Sequence, residues 1–212
     1  MPADLLTSLI NFSKAGAGKT MIATIVMEHL INLHEKSTEN IGVACVYLSH
    51  KEPQHLGNLL LSIIRQLTQR RRAISEELIN TYEDCEDGKS RPGTGKIIEA
   101  LQYEVDSFEE TFIVVDALDE CSDGVRFALL DELEKFKLKV HLLVTSRFLD
   151  IIADRLENSV KLEISAQPQD IKAFIRAQID EPENYRLQRM TKSDSKLQKK
   201  IEDTVIATAK GM

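Results

Sequence analysis

The chain has 212 residues, of which 42% are hydrophobic and 29% charged, and its formal net charge is −7. That length and apolar content suffice for one α/β domain and the start of a second unit, and the acidic balance argues against a general nucleic-acid-binding surface. Cys45, Cys85 and Cys121 are too few and too widely spaced for a disulfide framework or a zinc site, so a reducing, cytoplasmic setting is expected.

In chain order, residues 1–12 lack a basic leader and their apolar run is broken by Thr7, Ser8 and Asn11, which does not fit a signal peptide. No apolar run is long enough to cross a bilayer, and no membrane partner is expected. Ser8 to Phe12 reads as a strand. It feeds Ser13-Lys14-Ala15-Gly16-Ala17-Gly18-Lys19-Thr20, a near match to the phosphate-binding pattern G-x-x-x-x-G-K-[ST]. Gly16 and Gly18 let backbone N–H groups converge on an anion, Lys19 adds a point charge for the β and γ phosphates, and Thr20 offers a hydroxyl to Mg²⁺. Ser13 stands where the pattern has its first glycine. A Cβ at that bend costs about 1–2 kcal/mol if the turn is left-handed, so weakened phosphate binding is expected.

The spacing predicts a helix over Lys19–Lys36 that is apolar nearly all round and therefore buried. The run Ile41–Leu48 suits a strand covered on both faces. Helices are expected over His55–Arg70 and Ile74–Tyr82, with Arg70-Arg71-Arg72 a solvated helix end. Cys85–Thr94 is polar and rich in turn formers, so it reads as a loop before a helix over Ile97–Val105. Within this stretch, Arg91 to Lys96 mimics half a phosphate loop. No strand is read before it and Ile97 replaces the metal-binding hydroxyl, so helix initiation is the better reading.

Thr111–Val115 reads as a buried strand that delivers Asp116 to the carboxyl edge of a sheet, followed by Ala117, Leu118, Asp119 and Glu120. A carboxylate at that edge can hold the Mg²⁺ shell, and Asp119 or Glu120 can orient or deprotonate an attacking water. The residue types do not separate those two. A helix over Val125–Phe136, a strand over Val140–Thr145, a short helix near Phe148–Arg155 and a strand over Val160–Ile164 complete a βαβ alternation. The fourth strand ends in Thr145, Ser146 and Arg147. If it lies between the loop strand and the acidic strand, Arg147 emerges beside the γ-phosphate as a sensor. Pro168–Gln178 and Asp194–Lys210 read as helices with no strand after them. Thr191 to Asp194 resembles a guanine-reading motif but follows no strand, so helix capping by Ser193 or Asp194 is preferred.

The segments Ala-Gly-Ala-Gly-Lys-Thr, Val-Val-Asp-Ala-Leu-Asp-Glu-Cys and Leu-Val-Thr-Ser-Arg together resemble the NACHT family of signal-transduction NTPases, especially fungal NLR-like proteins. The resemblance implies a STAND-class switch that exchanges ADP for ATP, assembles into homo-oligomers in its full-length context and drives an effector, with outputs such as immunity, heterokaryon incompatibility or programmed cell death. It also implies that Lys19 and Thr20 are the Walker A residues, Asp116 the Walker B aspartate, Asp119 and Glu120 the extended acidic pair, and Arg147 the sensor. Ala15 departs from a frequent proline, and effector and sensor domains are absent from the sequence given.

The combined expectation is a three-layer αβα P-loop NTPase with a five-stranded, mostly parallel sheet in the order 2-3-4-1-5. Residues 1–165 form this core, and 166–212 begin a truncated helical subdomain. The function expected is Mg²⁺-dependent binding and slow hydrolysis of ATP, or of GTP. A non-hydrolysing interaction module is the alternative from another class, and a small-molecule P-loop kinase is a third, for which no acceptor pocket or Arg-bearing lid is legible.

Overall fold

Apolar runs of β-branched residues separated by helices pair in parallel, because each crossover helix returns the chain to the same end of the sheet. In the computed structural model, which describes residues 8–12, 18–36, 40–71, 74–83, 91–163 and 168–209, the strands are β1 (Ser8–Phe12), β2 (Ile41–Tyr47), β3 (Glu110–Asp116), β4 (Val140–Ser146) and β5 (Val160–Glu163). They form one sheet in the order β2-β3-β4-β1-β5, with every pairing parallel. The fold class and strand order match the expectation, and β4 does lie between β1 and β3.

Helices α2 (Leu56–Arg71), α4 (Thr94–Asp106), α5 (Asp123–Glu134) and α6 (Asp150–Arg155) cover one face, where Leu60, Leu101, Leu129 and Ile152 meet Ile10, Val115 and Val144. Fully burying one such side chain contributes about 1.5–3 kcal/mol. The opposite face is covered by α1 (Lys19–Lys36) through Ala23, Met27 and Leu30. Contrary to the all-round burial expected of α1, Met21 and Ile25 are 65% and 57% exposed. Among the described residues, the buried cluster on this face holds no helix other than α1, and the stripe of α1 facing the sheet is what is covered.

Edge strand β2 is met at Cys45 by a side chain. Gln66 of α2 accepts a hydrogen bond from the Cys45 N–H at 2.9 Å and donates to the Cys45 carbonyl at 2.7 Å, taking the place of a neighbouring strand. At the start of β2, a Cβ on Gly42 would lie 2.9 Å from Cδ2 of buried Phe108 and 3.0 Å from the Thr111 hydroxyl. Gly42→Ala is therefore expected to destabilise the domain by about 1–3 kcal/mol through overpacking. Urea unfolding at unchanged m-value checks this, and an unchanged midpoint would mean that Phe108 yields freely.

The end of α2 also corrects the sequence reading. Arg71 is not solvated: its guanidinium lies 3.7 Å from Glu104 and 5.8 Å from the centre of the Tyr103 ring. Glu104 is fully buried on α4 and accepts from the Ser75 hydroxyl at 2.8 Å. Ser75 precedes α3 (Glu76–Glu83). The buried carboxylate thus ties the end of α2 and the start of α3 to α4.

Residues 168–209 form a second compact unit made of α7 (Pro168–Asp180), α8 (Tyr185–Ser193) and α9 (Ser195–Ala209). The short α8 was not foreseen: its average composition is strongly polar, although its few apolar residues do fall at helical spacing. Arg176 of α7 donates to Glu202 of α9 at 2.9 Å. Asp194 accepts from the Lys196 N–H at 2.9 Å and so caps α9, as the capping reading required. Among the described residues, no helix is long and apolar enough to cross a membrane.

Candidate functional site

The candidate site grows from the C-terminal ends of the central strands. Beyond β1 the chain reaches Gly18 at φ +87°, a left-handed conformation that glycine adopts without a Cβ clash, and α1 begins at Lys19. Ser13, Lys14, Ala15, Gly16 and Ala17 lie outside the described residues. One turn into α1, the Gly18 carbonyl accepts from the Ile22 N–H at 3.0 Å. The Thr20 hydroxyl donates to Oδ2 of Asp116 at 2.7 Å. Residues 96 positions apart in sequence thus meet at the head of α1.

Asp116 is 3% exposed, and its two oxygens have different partners. Oδ2 faces Thr20, whereas Oδ1 accepts a short hydrogen bond from the Thr145 hydroxyl at the end of β4. Thr145 in turn accepts from the Ala117 N–H at 3.0 Å. Next to it on β1, in register, stands Asn11. Asn11, Thr145 and Asp116 are therefore a row of buried polar side chains across three adjacent strands, beneath the start of α1.

After Asp116 the chain turns sharply. Ala117 has φ 59° and ψ 48°, the left-handed region that costs a residue with a Cβ about 1–2 kcal/mol. A small side chain keeps that cost low. The turn continues as one 3-10 turn over Leu118–Glu120. Arg126 of α5, itself 4% exposed, braces this turn from beneath. It donates to the carbonyls of Leu118 at 3.0 Å, Cys121 at 2.8 Å and Asp119 at 3.3 Å, and pairs with Asp123 at 2.6 Å.

The two acidic residues of the turn take different partners. Asp119 accepts from the Arg147 N–H at 2.8 Å and lies 3.2 Å from Nε of the same residue, so it holds Arg147 by backbone and side chain together. Glu120 points towards the segment after β2, where His50 approaches it through Nδ1 at 3.0 Å and through its N–H at 3.4 Å. The His50 hydrogen bonds hold the Glu120 carboxyl below the usual carboxylate range.

A single carboxylate and a single hydroxyl at 2.7 Å are a sparse donor set. No group of three or more His, Cys, Asp and Glu that could cage an ion occurs among the described residues. Mg²⁺ keeps several waters and is commonly held by one or two carboxylates together with phosphate oxygens. Thr20 and Asp116 fit that requirement. The arrangement can therefore present Mg²⁺-bound phosphates to a carboxylate-bearing turn.

Of the sequence-derived candidates among the described residues, Gly18, Lys19, Thr20, Asp116, Asp119, Glu120 and Arg147 all lie at the C-terminal edge of the sheet. Thr145, His50 and Arg126 were missed as members of the site. Thr145 carried a signal, since a hydroxyl ending a buried strand next to the acidic strand falls beside Asp116. His50 and Arg126 carried none, because neither sits in a motif.

Residues 7–147, more than half of the chain, match the family described as Nephrocystin 3, N-terminal. No curated protein matches the sequence. Among solved structures, the chain is similar to the Aeropyrum pernix ORC1 protein in complex with DNA, with a TM-score of 0.56 and 14% identity over 82% of this chain and 44% of that one. It is also similar to Drosophila ORC bound to DNA, with a TM-score of 0.51 and 16% identity over 82% of this chain and 40% of that one. The Aeropyrum pernix ORC2 protein, solved as ADPNP-ADP complexes, gives a TM-score of 0.50 and 15% identity over 84% of this chain and 47% of that one. The chain thus spans less than half the length of each, and at such identities the likeness is one of fold. It belongs to the Nephrocystin 3, N-terminal family, and its first unit has the fold of the P-loop NTPases.

Proposed function

We propose that this chain binds ATP with Mg²⁺ at the edge formed by Gly18, Lys19, Thr20 and Asp116, and hydrolyses it slowly as the nucleotide switch of a NACHT-like signalling protein. The observation that carries the reading is the Thr20 to Asp116 hydrogen bond, which joins the end of the phosphate-loop sequence to the acidic strand. Ser13, Lys14, Ala15, Gly16, Ala17 and Gly18 supply the backbone cradle, Lys19 the charge on the β and γ phosphates, and Thr20 and Asp116 the Mg²⁺ shell. When bound, Mg²⁺ neutralises charge developing on the phosphoryl oxygens.

On this reading the two acidic residues take different roles. Asp119 has a side chain only 6% exposed and is committed to Arg147, so it positions the sensor. Glu120, whose side chain is 24% exposed, is the carboxylate that orients the attacking water. ATP is preferred over GTP because Asp194, the acidic residue of the guanine-like motif, is used as a helix cap. Assembly with further copies, attached effector and sensor segments, and a cytoplasmic setting belong to the same reading through the NACHT-like order of motifs. A second reading, a module that binds nucleotide and oligomerises without turnover, is supported by Ser13 and by the pairing of both acidic side chains, Asp119 with Arg147 and Glu120 with His50.

Calorimetric titration with ATP, in Mg²⁺ and in EDTA, tests the site. In wild type, Mg²⁺ is expected to strengthen binding, and Asp116→Asn to lose that gain by roughly tenfold, equivalent to about 1.4 kcal/mol. Equal Mg²⁺ dependence in the two proteins would remove Asp116 from the metal role. Phosphate release without an added acceptor separates slow hydrolysis from the module reading.

A further inference from the structure

We propose that Asn11 is a positioning residue of the nucleotide–Mg²⁺ site that acts through Thr145 on Asp116. The inference rests on the nucleotide reading above and extends it to a residue that no motif contains. Asn11 lies on β1, between β4 and β5, and is fully buried. Among the described residues, neither its amide nitrogen nor its amide oxygen has a hydrogen-bond partner. An unpaired buried amide is costly, and an apolar side chain of the same branching would avoid that cost. Packing therefore does not account for an amide at this position.

Its neighbours do. Asn11 is the register partner of Thr145, and Asp116 follows one step beyond the Val115–Val144 pair, so the three side chains form one row on the α1 face of the sheet. A hydroxyl has one proton to donate and two lone pairs. The Thr145 proton goes to Asp116 and one lone pair takes the Ala117 N–H, which leaves one lone pair open. The Asn11 amide N–H is the donor on the adjacent strand that fits it, directly after a side-chain rotation or through one bridging water. With both lone pairs engaged, the Thr145 hydroxyl cannot rotate away, and its proton stays on Oδ1 of Asp116. Oδ2 then remains turned towards Thr20 and the phosphate side. Because the amide is unpaired in the geometry described, it adds nothing to the stability of the fold, and its benefit lies in holding Asp116 for the nucleotide complex.

The test is a double-mutant cycle of Asn11→Leu and Thr145→Val, with two readouts: the thermal midpoint without nucleotide, and the Kd for Mg²⁺·ATP by calorimetry. Asn11→Leu is expected to leave the empty protein unchanged or more stable while weakening Mg²⁺·ATP binding about fivefold, the order of one hydrogen bond. In the Thr145→Val background it is expected to cause no further loss, because the path to Asp116 is already cut. Independent, multiplying losses would overturn the proposal, as would an unchanged Kd in Asn11→Leu whatever happens to its midpoint. If Asn11→Leu does not fold, Asn11→Val carries the same test with a smaller side chain. Absence of binding in wild type would overturn the nucleotide reading itself, and Asn11's role with it. Equal binding by wild type and Asn11→Leu would overturn Asn11's role alone.

Discussion

Lys19→Ala is expected to abolish the thermal response to nucleotide. Wild type at a hundredfold excess of Mg²⁺·ATP over Kd gains about 2.7 kcal/mol, which for a domain of this size raises the midpoint by roughly 5–10 °C. Lys19 is only half-buried at the first position of α1, whereas the residues anchoring that helix begin at Ala23. The variant therefore keeps its fold, and its midpoint without nucleotide is expected to stay close to that of wild type. What it lacks is the ammonium group on the phosphates, a charge that neither the helix dipole nor backbone N–H groups replace. Differential scanning fluorimetry with and without Mg²⁺·ATP reads both quantities. An equal shift in the two proteins would remove the phosphate-loop assignment.

The largest loss of stability is expected from Arg126→Met. The substitution keeps the apolar stem but removes every donor from a site where three backbone carbonyls, those of Leu118, Asp119 and Cys121, converge on one guanidinium. Leaving buried acceptors unpaired costs about 1–3 kcal/mol each, partly recovered by relaxation of the turn. A net loss of about 2–4 kcal/mol, or roughly 4–16 °C in midpoint, is therefore expected. The same change frees the turn that carries Asp119 and Glu120, so phosphate release is expected to fall further than affinity for Mg²⁺·ATP. A stability loss under about 1 kcal/mol would mean that the Ala117 bond to Thr145 and the Asp119 bond to Arg147 hold the turn without help.

The placement of several candidate residues was legible because it depends on residue type at short range. Gly18 takes the positive φ that a glycine-rich turn allows. Thr20 and Asp116 each end a local pattern, one a glycine-rich turn and the other a buried strand. By contrast, Arg126 and His50 sit in no motif, and Asn11 is a polar break in an apolar run. Each gains its role from elements distant in sequence. Arg71 misled for the same reason, because its partner Glu104 lies on another helix.

By itself, the sequence determined the strands and helices of the first unit, the parallel sheet and the motif residues at its carboxyl edge. Apolar periodicity and glycine positions act within a few residues, where sterics and burial leave few alternatives. Only the tertiary structure decided that Thr145 shares Asp116 with Thr20, that Asp119 holds Arg147 while Glu120 faces His50, and that most of α1 beyond one stripe is uncovered. Those outcomes depend on which strands become neighbours and in what register. That choice is made by the packing of both faces of the sheet at once, and no local stretch of the chain encodes it.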